Sequence, residues 1–491
     1  CPLFLSLYYS YMTLRPILYI VGLFLLTLAA FMCIPMMFDI YASNMNWRSF
    51  AFSVGITGFI GGILTLSNKQ NDIEVSGRGA FLLTALAWLS LCFFSSLPFL
   101  FSIYDINLTN SVFESVSGLT TTGATVLTNL DSMSGGILLW RALLQWLGGV
   151  GIIVMAISVL PFLKVGGMQL FRLESSENEK TLPRATQLST YIICIYIALT
   201  AICTVCYNVV GMTHFDAVAH AMTTIATGGF STTDASFSNH PHYGPEVVAI
   251  IFMILGCLPF ALYIKCINGN WRALIEDQQA AGFLKTVFIL CLIAIGFLVF
   301  VLNDISLNIV IEAIFTTVSL LTGTGYTDTN YMTWGGFAVG FLLFTSCIGG
   351  CAGSTTCGIK IFRFQILYAV AKNQILQLIH PNGVFIVQYN KQPLSVQIAA
   401  SVMAYFFIFV VAFVITSIAL LACGLDLITS LSGAIATLAN VGPGLGDIIG
   451  PTGTYAPLPD SAKWIMTSAM IFGRLEFFTL LVFFIPRFWR S

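Results

Sequence analysis

The chain carries ten long apolar stretches, at about 16–38, 49–67, 80–101, 137–163, 188–210, 247–267, 283–302, 335–358, 397–423 and 463–486. A helical membrane span needs about 20 apolar residues, whereas the tilted strands of an outer-membrane barrel need about 9–11. The stretches therefore predict helical spans and an all-α polytopic membrane protein. Composition agrees, since 57% of the 491 residues are hydrophobic and only 8% are charged. An ordinary soluble domain carries about 25% charged residues. Disorder is excluded too, because it needs low hydrophobicity and high charge. The 13 cysteines lie scattered through apolar stretches and read as small buried apolar residues, including Cys203 and Cys206 with their redox-motif spacing.

Basic residues orient the spans, because Lys and Arg stay on the cytoplasmic side. With the N-terminus inside, 16 of the 20 basic residues fall in inner segments. These are Arg15, Lys69, Arg78, Lys164, Arg172, Lys180, Arg184, Lys265, Arg272, Lys285, Lys360, Arg363, Lys372, Lys391, Arg487 and Arg490. The outer segments hold Arg48 and Lys463, while Arg141 and Arg474 fall within spans. The expectation is ten spans with both termini cytoplasmic. The outer semi-polar segments hold twelve acids, among them Glu114, Asp216, Glu246, Glu312, Asp328 and Asp426, against the single base Lys463. An acidic mouth over a low-dielectric body concentrates cations and repels anions.

A hairpin at 16–67 follows a tail at 1–15. Four units then repeat one rhythm, at 80–163, 188–267, 283–375 and 397–486: a long span, a semi-polar Thr/Gly segment, and a second long stretch. The semi-polar segments align on Gly123, Gly229, Gly325 and Gly442, each 13 residues after Asn110, Asp216, Glu312 or Thr429. Asn110, Asp216 and Thr429 suit a helix N-cap, and acids suit the positive end of a helix. About ten residues of helix are too few to span a bilayer, so each unit predicts a re-entrant helix ending in Thr-Gly backbone. Irregular backbone at membrane depth is tolerated only where it is buried in protein or lines a watery cavity. Four such strands around one axis would present rings of carbonyl oxygens to a dehydrated cation. The candidate filter residues are Thr121, Thr122 and Gly123; Thr227, Gly228 and Gly229; Gly323, Thr324 and Gly325; and Asn440, Val441 and Gly442. A single Thr-Gly segment would read as helix packing. Four of them, each between two spans and on the outer side, read as a pore.

Several stretches carry a family resemblance. They are Leu119-Thr-Thr-Thr-Gly-Ala-Thr125, Leu144-Gln-Trp-Leu-Gly-Gly-Val-Gly-Ile152, Ile225-Ala-Thr-Gly-Gly-Phe-Ser-Thr232, Gly349-Gly-Cys-Ala-Gly-Ser-Thr355, Asn440-Val-Gly-Pro-Gly-Leu-Gly446 and Phe472-Gly-Arg-Leu-Glu-Phe-Phe-Thr479. With the fourfold arrangement, the chain resembles the Trk/Ktr/HKT superfamily of potassium transporters, and within it the TrkH/TrkG type, which has the N-terminal hairpin. The resemblance implies K+ as the transported ion and no other cofactor. It also implies a homodimer in the bacterial inner membrane and a cytosolic TrkA-type ring that binds nucleotides. Two departures stand out: Thr322-Gly-Thr-Gly-Tyr326 where the type has Thr-Thr-Ala-Gly-Phe, and Thr356-Cys357-Gly358 where it has three glycines.

The second stretch of the third repeat holds Gly349, Gly350, Gly353 and Gly358 and should bend or unwind beneath the filter. A flexible segment there, with Ser354 and Thr355, could plug the pore; a glycine cluster for helix packing is the other reading. The resemblance supports a gating loop. Arg474 lies in the last span, where a charge is costly and faces an aqueous path or a partner. An electrostatic barrier and a structural ion pair both remain open for it. Arg474 and Glu476 are two apart and should have separate partners. Arg141 and Gln145 share a helix face near the outer end and read as structural. His240 and His242 lack a third metal ligand.

No HExxH, P-loop or Rossmann fingerprint occurs, so nucleotide control would come from another chain. An alternating-access Na+- or H+-coupled symporter is the competing function, but it would show inverted repeats. An enzyme or redox subunit would want paired ligands on helices, and a voltage sensor would want an Arg-rich helix. Nucleic acid is not an expected partner; membrane lipid is. Met12, just ahead of Arg15, reads as the natural start, with 1–11 an upstream extension.

Overall fold

The computed structural model describes residues 2–70, 76–158, 181–238, 242–390 and 392–489. Helices α1 (Pro2–Tyr41) and α2 (Trp47–Ser67) form the N-terminal hairpin. They approach closely at Gly22 and Gly61, where a Cβ would press on the opposite helix. Because α1 begins at Pro2, the expected tail is continuous with the first helix, whose membrane-length part is Leu14–Tyr41. Of the inner basic residues, Lys164, Arg172, Lys180, Lys391 and Arg490 lie outside the described residues.

The four repeats follow in order. The first is α3 (Gly77–Ser95), pore helix α4 (Leu108–Leu119) and α5 (Gly135–Ser158). The second is α6 (Thr181–Val209), pore helix α7 (His214–Ile225), then α8 (Gly244–Cys257) and α9 (Phe260–Ile267). The third is α10 (Gln278–Leu302), pore helix α11 (Leu307–Leu321), α12 (Gly336–Ile348) and, past an irregular stretch, α13 (Ile361–Ile379). A two-residue antiparallel ribbon, β1 (Gln388–Tyr389) with β2 (Gln392–Pro393), leads into the fourth. That repeat is α14 (Val396–Ala422), pore helix α15 (Leu427–Leu438) and α16 (Asp460–Arg474). Burial sorts the helices: the apolar window of α5 is 78% buried and that of α14 only 22%. The first lies in the protein interior, and the second turns most of its apolar surface outward, as a lipid-facing helix should.

Ten spans are expected, with a break in the second span of the third repeat; the structure shows that break and two further ones in repeats 2 and 4. Among the described residues seven helices are long and apolar enough to cross a membrane, and two bent pairs raise the number to nine. The α8–α9 pair bends by 93°. Pro259 supplies no N–H there and drives Leu258 into extended backbone, with ψ 151°. The last span bends by 104° just beyond Arg474, where Glu476 takes φ 52°. In the third repeat α12 stops after 13 residues, at the glycine cluster.

The pore-helix caps also differ from expectation. The capping residues are Asn107, Thr213, Ser306 and Asp426, and each accepts from the backbone N–H three residues on. Asn110, Asp216 and Thr429 are those N–H donors, one turn inside the helix. Glu312 lies within α11 and caps nothing. Replacing Asn107, whose side chain accepts from Asn110 N at 2.8 Å, by Ala is expected to cost about 1 kcal/mol. A lowered thermal midpoint of the detergent-solubilised protein would show it.

Candidate ion-selectivity site

Each pore helix ends in backbone that alternates between hands. Two residues before the anchor glycine, φ is 53° at Thr121, 50° at Thr227, 72° at Gly323 and 54° at Asn440. At the anchors φ is 83° for Gly123, 79° for Gly229, 78° for Gly325 and 99° for Gly442. Positive φ is costly for residues with a Cβ, so three non-glycine residues hold it only because their surroundings impose it. The same pattern in all four repeats, on different side chains, marks the backbone as what the repeats share.

The four strands close on one another. A Cβ on Gly123 would overlap the carbonyl oxygen of Gly228, and one on Gly229 that of Thr324. A Cβ on Gly325 would overlap that of Val441, and one on Gly442 would crowd that of Thr122. Each anchor glycine thus packs on the next repeat's preceding carbonyl, and the fourth returns to the first. All twelve expected filter residues lie in this ring, and Thr121, Thr122, Thr227, Thr324, Asn440 and Val441 are buried in it.

Different side chains brace each junction. Between repeats 1 and 2, Gln145 Nε2 donates to Gly228 O (2.6 Å), and Arg141 Nη1 donates to Ser231 O (2.7 Å). Arg141 is also paired with Glu114 at 2.8 Å, both fully buried, and its guanidinium lies 4.1 Å from the Phe230 ring centroid. The Glu114 carboxylate in turn accepts from Val126 N and Thr125 Oγ1, both 2.9 Å. Between repeats 2 and 3, the Tyr326 hydroxyl meets Thr223 and Thr224 of α7. Between 3 and 4, Tyr331 donates to Gly444 O (3.3 Å). Between 4 and 1, Asn440 Nδ2 donates to Thr122 Oγ1 (2.8 Å) and Tyr455 N to Thr125 O (2.9 Å), while the Tyr455 hydroxyl donates to Gly442 O within repeat 4 (2.7 Å). Glu114 and the three tyrosines were not legible as braces in the sequence. The one available signal was that Glu114 and Arg141 are isolated charges in neighbouring semi-polar and apolar segments.

Beneath the ring lies the irregular stretch after α12. Gly349, Gly353 and Gly358 take φ of 72°, 74° and 78°. Its backbone pairs with the break in repeat 2: Cys351 N donates to Cys257 O (3.1 Å), Thr355 Oγ1 to Gly256 O (3.0 Å), and Phe260 N to Gly353 O (3.0 Å). Thr227 Oγ1 of the candidate filter donates to Thr355 Oγ1 (3.2 Å), and Cys357 Sγ lies 3.8 Å from Thr120 O. Gly350 and Ser354 belong to the same buried stretch, where Ser354 Oγ meets Thr356 Oγ1 at 2.8 Å. Arg474 crosses beneath, donating to Thr355 O (3.2 Å), to Cys357 Sγ and to Gly148 O of α5 (2.9 Å). Glu476 instead pairs with Arg363 (3.0 Å) and Lys360 (3.6 Å) just past the stretch. The two neighbouring charges have separate partners.

Beyond the strand of repeat 3, burial and then the nearby Glu312 carboxylate push the Asp328 carboxyl up to about 7. Among the described residues no group of His, Cys, Asp and Glu is placed to hold a metal ion. His240 lies outside them, and among the described residues no disulfide joins two cysteines.

A family model described as TrkH, cation transport protein, matches residues 48–491. The chain belongs to the TrkH family. It is a multi-span transporter, not an enzyme. It is 41% identical to the Trk system potassium uptake protein TrkI of Halomonas elongata over 479 residues, covering 97% of each chain. It is 36% identical to the Trk system potassium uptake protein TrkH of Escherichia coli K12, covering 98% of this chain and 100% of that protein. The crystal structure of the potassium transporter TrkH from Vibrio parahaemolyticus superposes with a TM-score of 0.90 at 34% identity, covering 97% of this chain and 99% of that one. The TrkH-family fold, with its hairpin and four pore repeats, is thus this chain's fold.

Replacing Glu114 by Ala leaves Arg141 buried without its carboxylate. Loss of one partner of such a pair costs about 3–5 kcal/mol. The variant should melt well below the parent in detergent; an unchanged midpoint would deny the pair its bracing role.

Proposed function

We propose that this chain takes up K+ by a channel-like route, in which a dehydrated ion passes the strands 121–123, 227–229, 323–325 and 440–442. The observation that carries this reading is the closed ring of four re-entrant strands, each with positive φ at matching positions. Rings of backbone carbonyls replace the hydration shell of a cation. Each pore helix also aims the negative end of its dipole at the strand it leads into. The relatives named as potassium uptake proteins support K+ as the ion. The four repeats share one orientation, which disfavours an inverted-repeat symporter.

The stretch around Gly349, Gly350, Gly353, Ser354 and Thr355 serves as the gate in this reading, and Arg474 latches it. A buried guanidinium below a cation filter also opposes a following cation. The distribution of basic residues supports an inner-membrane protein with both termini in the cytoplasm. The Trk-system names of the relatives support a cytosolic TrkA-type nucleotide-binding ring as regulator, and the protein works as a homodimer. Exposed apolar residues such as Phe52, Phe59 and Phe407 suit contact with lipid.

Flux into liposomes with competing K+, Rb+ and Na+ tests the filter. Gly229→Ser and Gly325→Ser introduce a Cβ at positive φ and against the next carbonyl. Both should weaken K+ over Na+ preference several-fold. An unchanged ratio in both would remove these strands as the filter.

The gate has its own test. Deleting part of 350–356, or replacing Arg474 by Ala, should raise basal K+ flux. Loss of flux in both, with the protein assembled, would assign the stretch a structural role.

A further inference from the structure

Repeat 2 departs from the others at one filter position. The residue before the anchor glycine is Thr122, Thr324 or Val441 in repeats 1, 3 and 4, but Gly228 in repeat 2. Gly228 is not glycine for backbone reasons, because its φ lies outside the left-handed region that Gly229 occupies. The reason is steric: a Cβ at Gly228 would overlap the carboxamide of Gln145. That carboxamide comes from α5 of repeat 1 and fills the room that a side chain takes elsewhere. It uses both ends, since Nε2 donates to Gly228 O at 2.6 Å and Oε1 accepts from Phe230 N at 3.0 Å. Gln145 is fully buried. Among the described residues, the matching carbonyls of Thr122, Thr324 and Val441 accept no protein hydrogen bond. One quadrant of the ring therefore differs in kind from the other three.

We propose that Gln145 is a specificity-determining residue that acts by positioning, holding the Gly228 carbonyl so that the ring keeps the width and field that suit K+. The proposal rests on the filter reading above. K+ over Na+ preference depends on cavity size and on the number and field strength of the coordinating carbonyls. A carbonyl tied to a buried amide cannot swing inward to follow a smaller ion, and it shares its lone pairs with the amide N–H. Released, strand 2 can contract around Na+. The strand with the smallest side chain would then be the most compliant of the four, and Gln145 is what stiffens it.

Two variants approach the contact from opposite sides. Gln145→Met keeps an unbranched side chain of similar length but removes both hydrogen bonds. Gly228→Ala keeps Gln145 but pushes its carboxamide away. In liposome flux with competing K+ and Na+, each should lower the K+/Na+ ratio by about threefold or more while K+ flux persists. Proportional loss of K+ and Na+ flux with an unchanged ratio would overturn the proposal, as would failure of both variants to assemble, which would make Gln145 a folding brace only. Gly229→Ser, run alongside, separates the two levels. If it changes the ratio and the Gln145 and Gly228 variants do not, only the brace falls; if it too changes nothing, the filter reading falls.

Discussion

A peptide N–H or C=O left unpaired in hydrocarbon costs several kcal/mol, and lipid-exposed irregular backbone does not occur at membrane depth. This chain nevertheless leaves regular helix in four re-entrant strands and three interrupted second spans. The pairing of those exposed groups organises the rest of the molecule. The break at Pro259 frees the carbonyls of Gly256 and Cys257, and the unwound stretch after α12 supplies Thr355 and Cys351 to meet them. Two interruptions that would each be costly alone satisfy one another. The third is tied in through Arg474, which donates to the same stretch and to α5.

The same accounting explains why a pseudo-symmetric backbone carries asymmetric side chains. The four strands share their φ pattern, yet an amide, a buried ion pair and two tyrosine hydroxyls brace the junctions. Once one chain carries all four units, each junction is free to solve its packing separately. What the four units have in common is backbone, which in the proposed filter is the surface that faces the ion. The proposed filter and the proposed gate also touch: Thr227 meets Thr355, and Cys357 approaches Thr120 and Thr121. The buried Cys357 side chain fills part of the space between these strands and Arg474.

Much of this was legible in the sequence because it rests on local rules. The anchor glycines, the re-entrant length and the glycine-broken third span follow from periodicity and backbone freedom. The caps were misplaced because N-cap and N3 positions both favour small polar residues, and Asn107 and Asn110 compete for the same reading. The bend at Pro259 leaves no mark on the hydropathy, because the apolar stretch runs straight through it. The last bend, at Glu476, follows no proline and depends on ion pairs with Lys360 and Arg363 more than a hundred residues away in sequence. In the sequence Gln145 is one polar residue on a helix face; only the strand packed against it reveals what its amide holds.

The central claim is that four strands of one chain enclose a single cation path. The most direct measurement is anomalous scattering from Rb+ or Tl+ in crystals of the protein. Ion density is expected on the line enclosed by the carbonyls of Thr122, Gly228, Thr324 and Val441. Density confined to the outer acidic loops, with none between the strands, would contradict it.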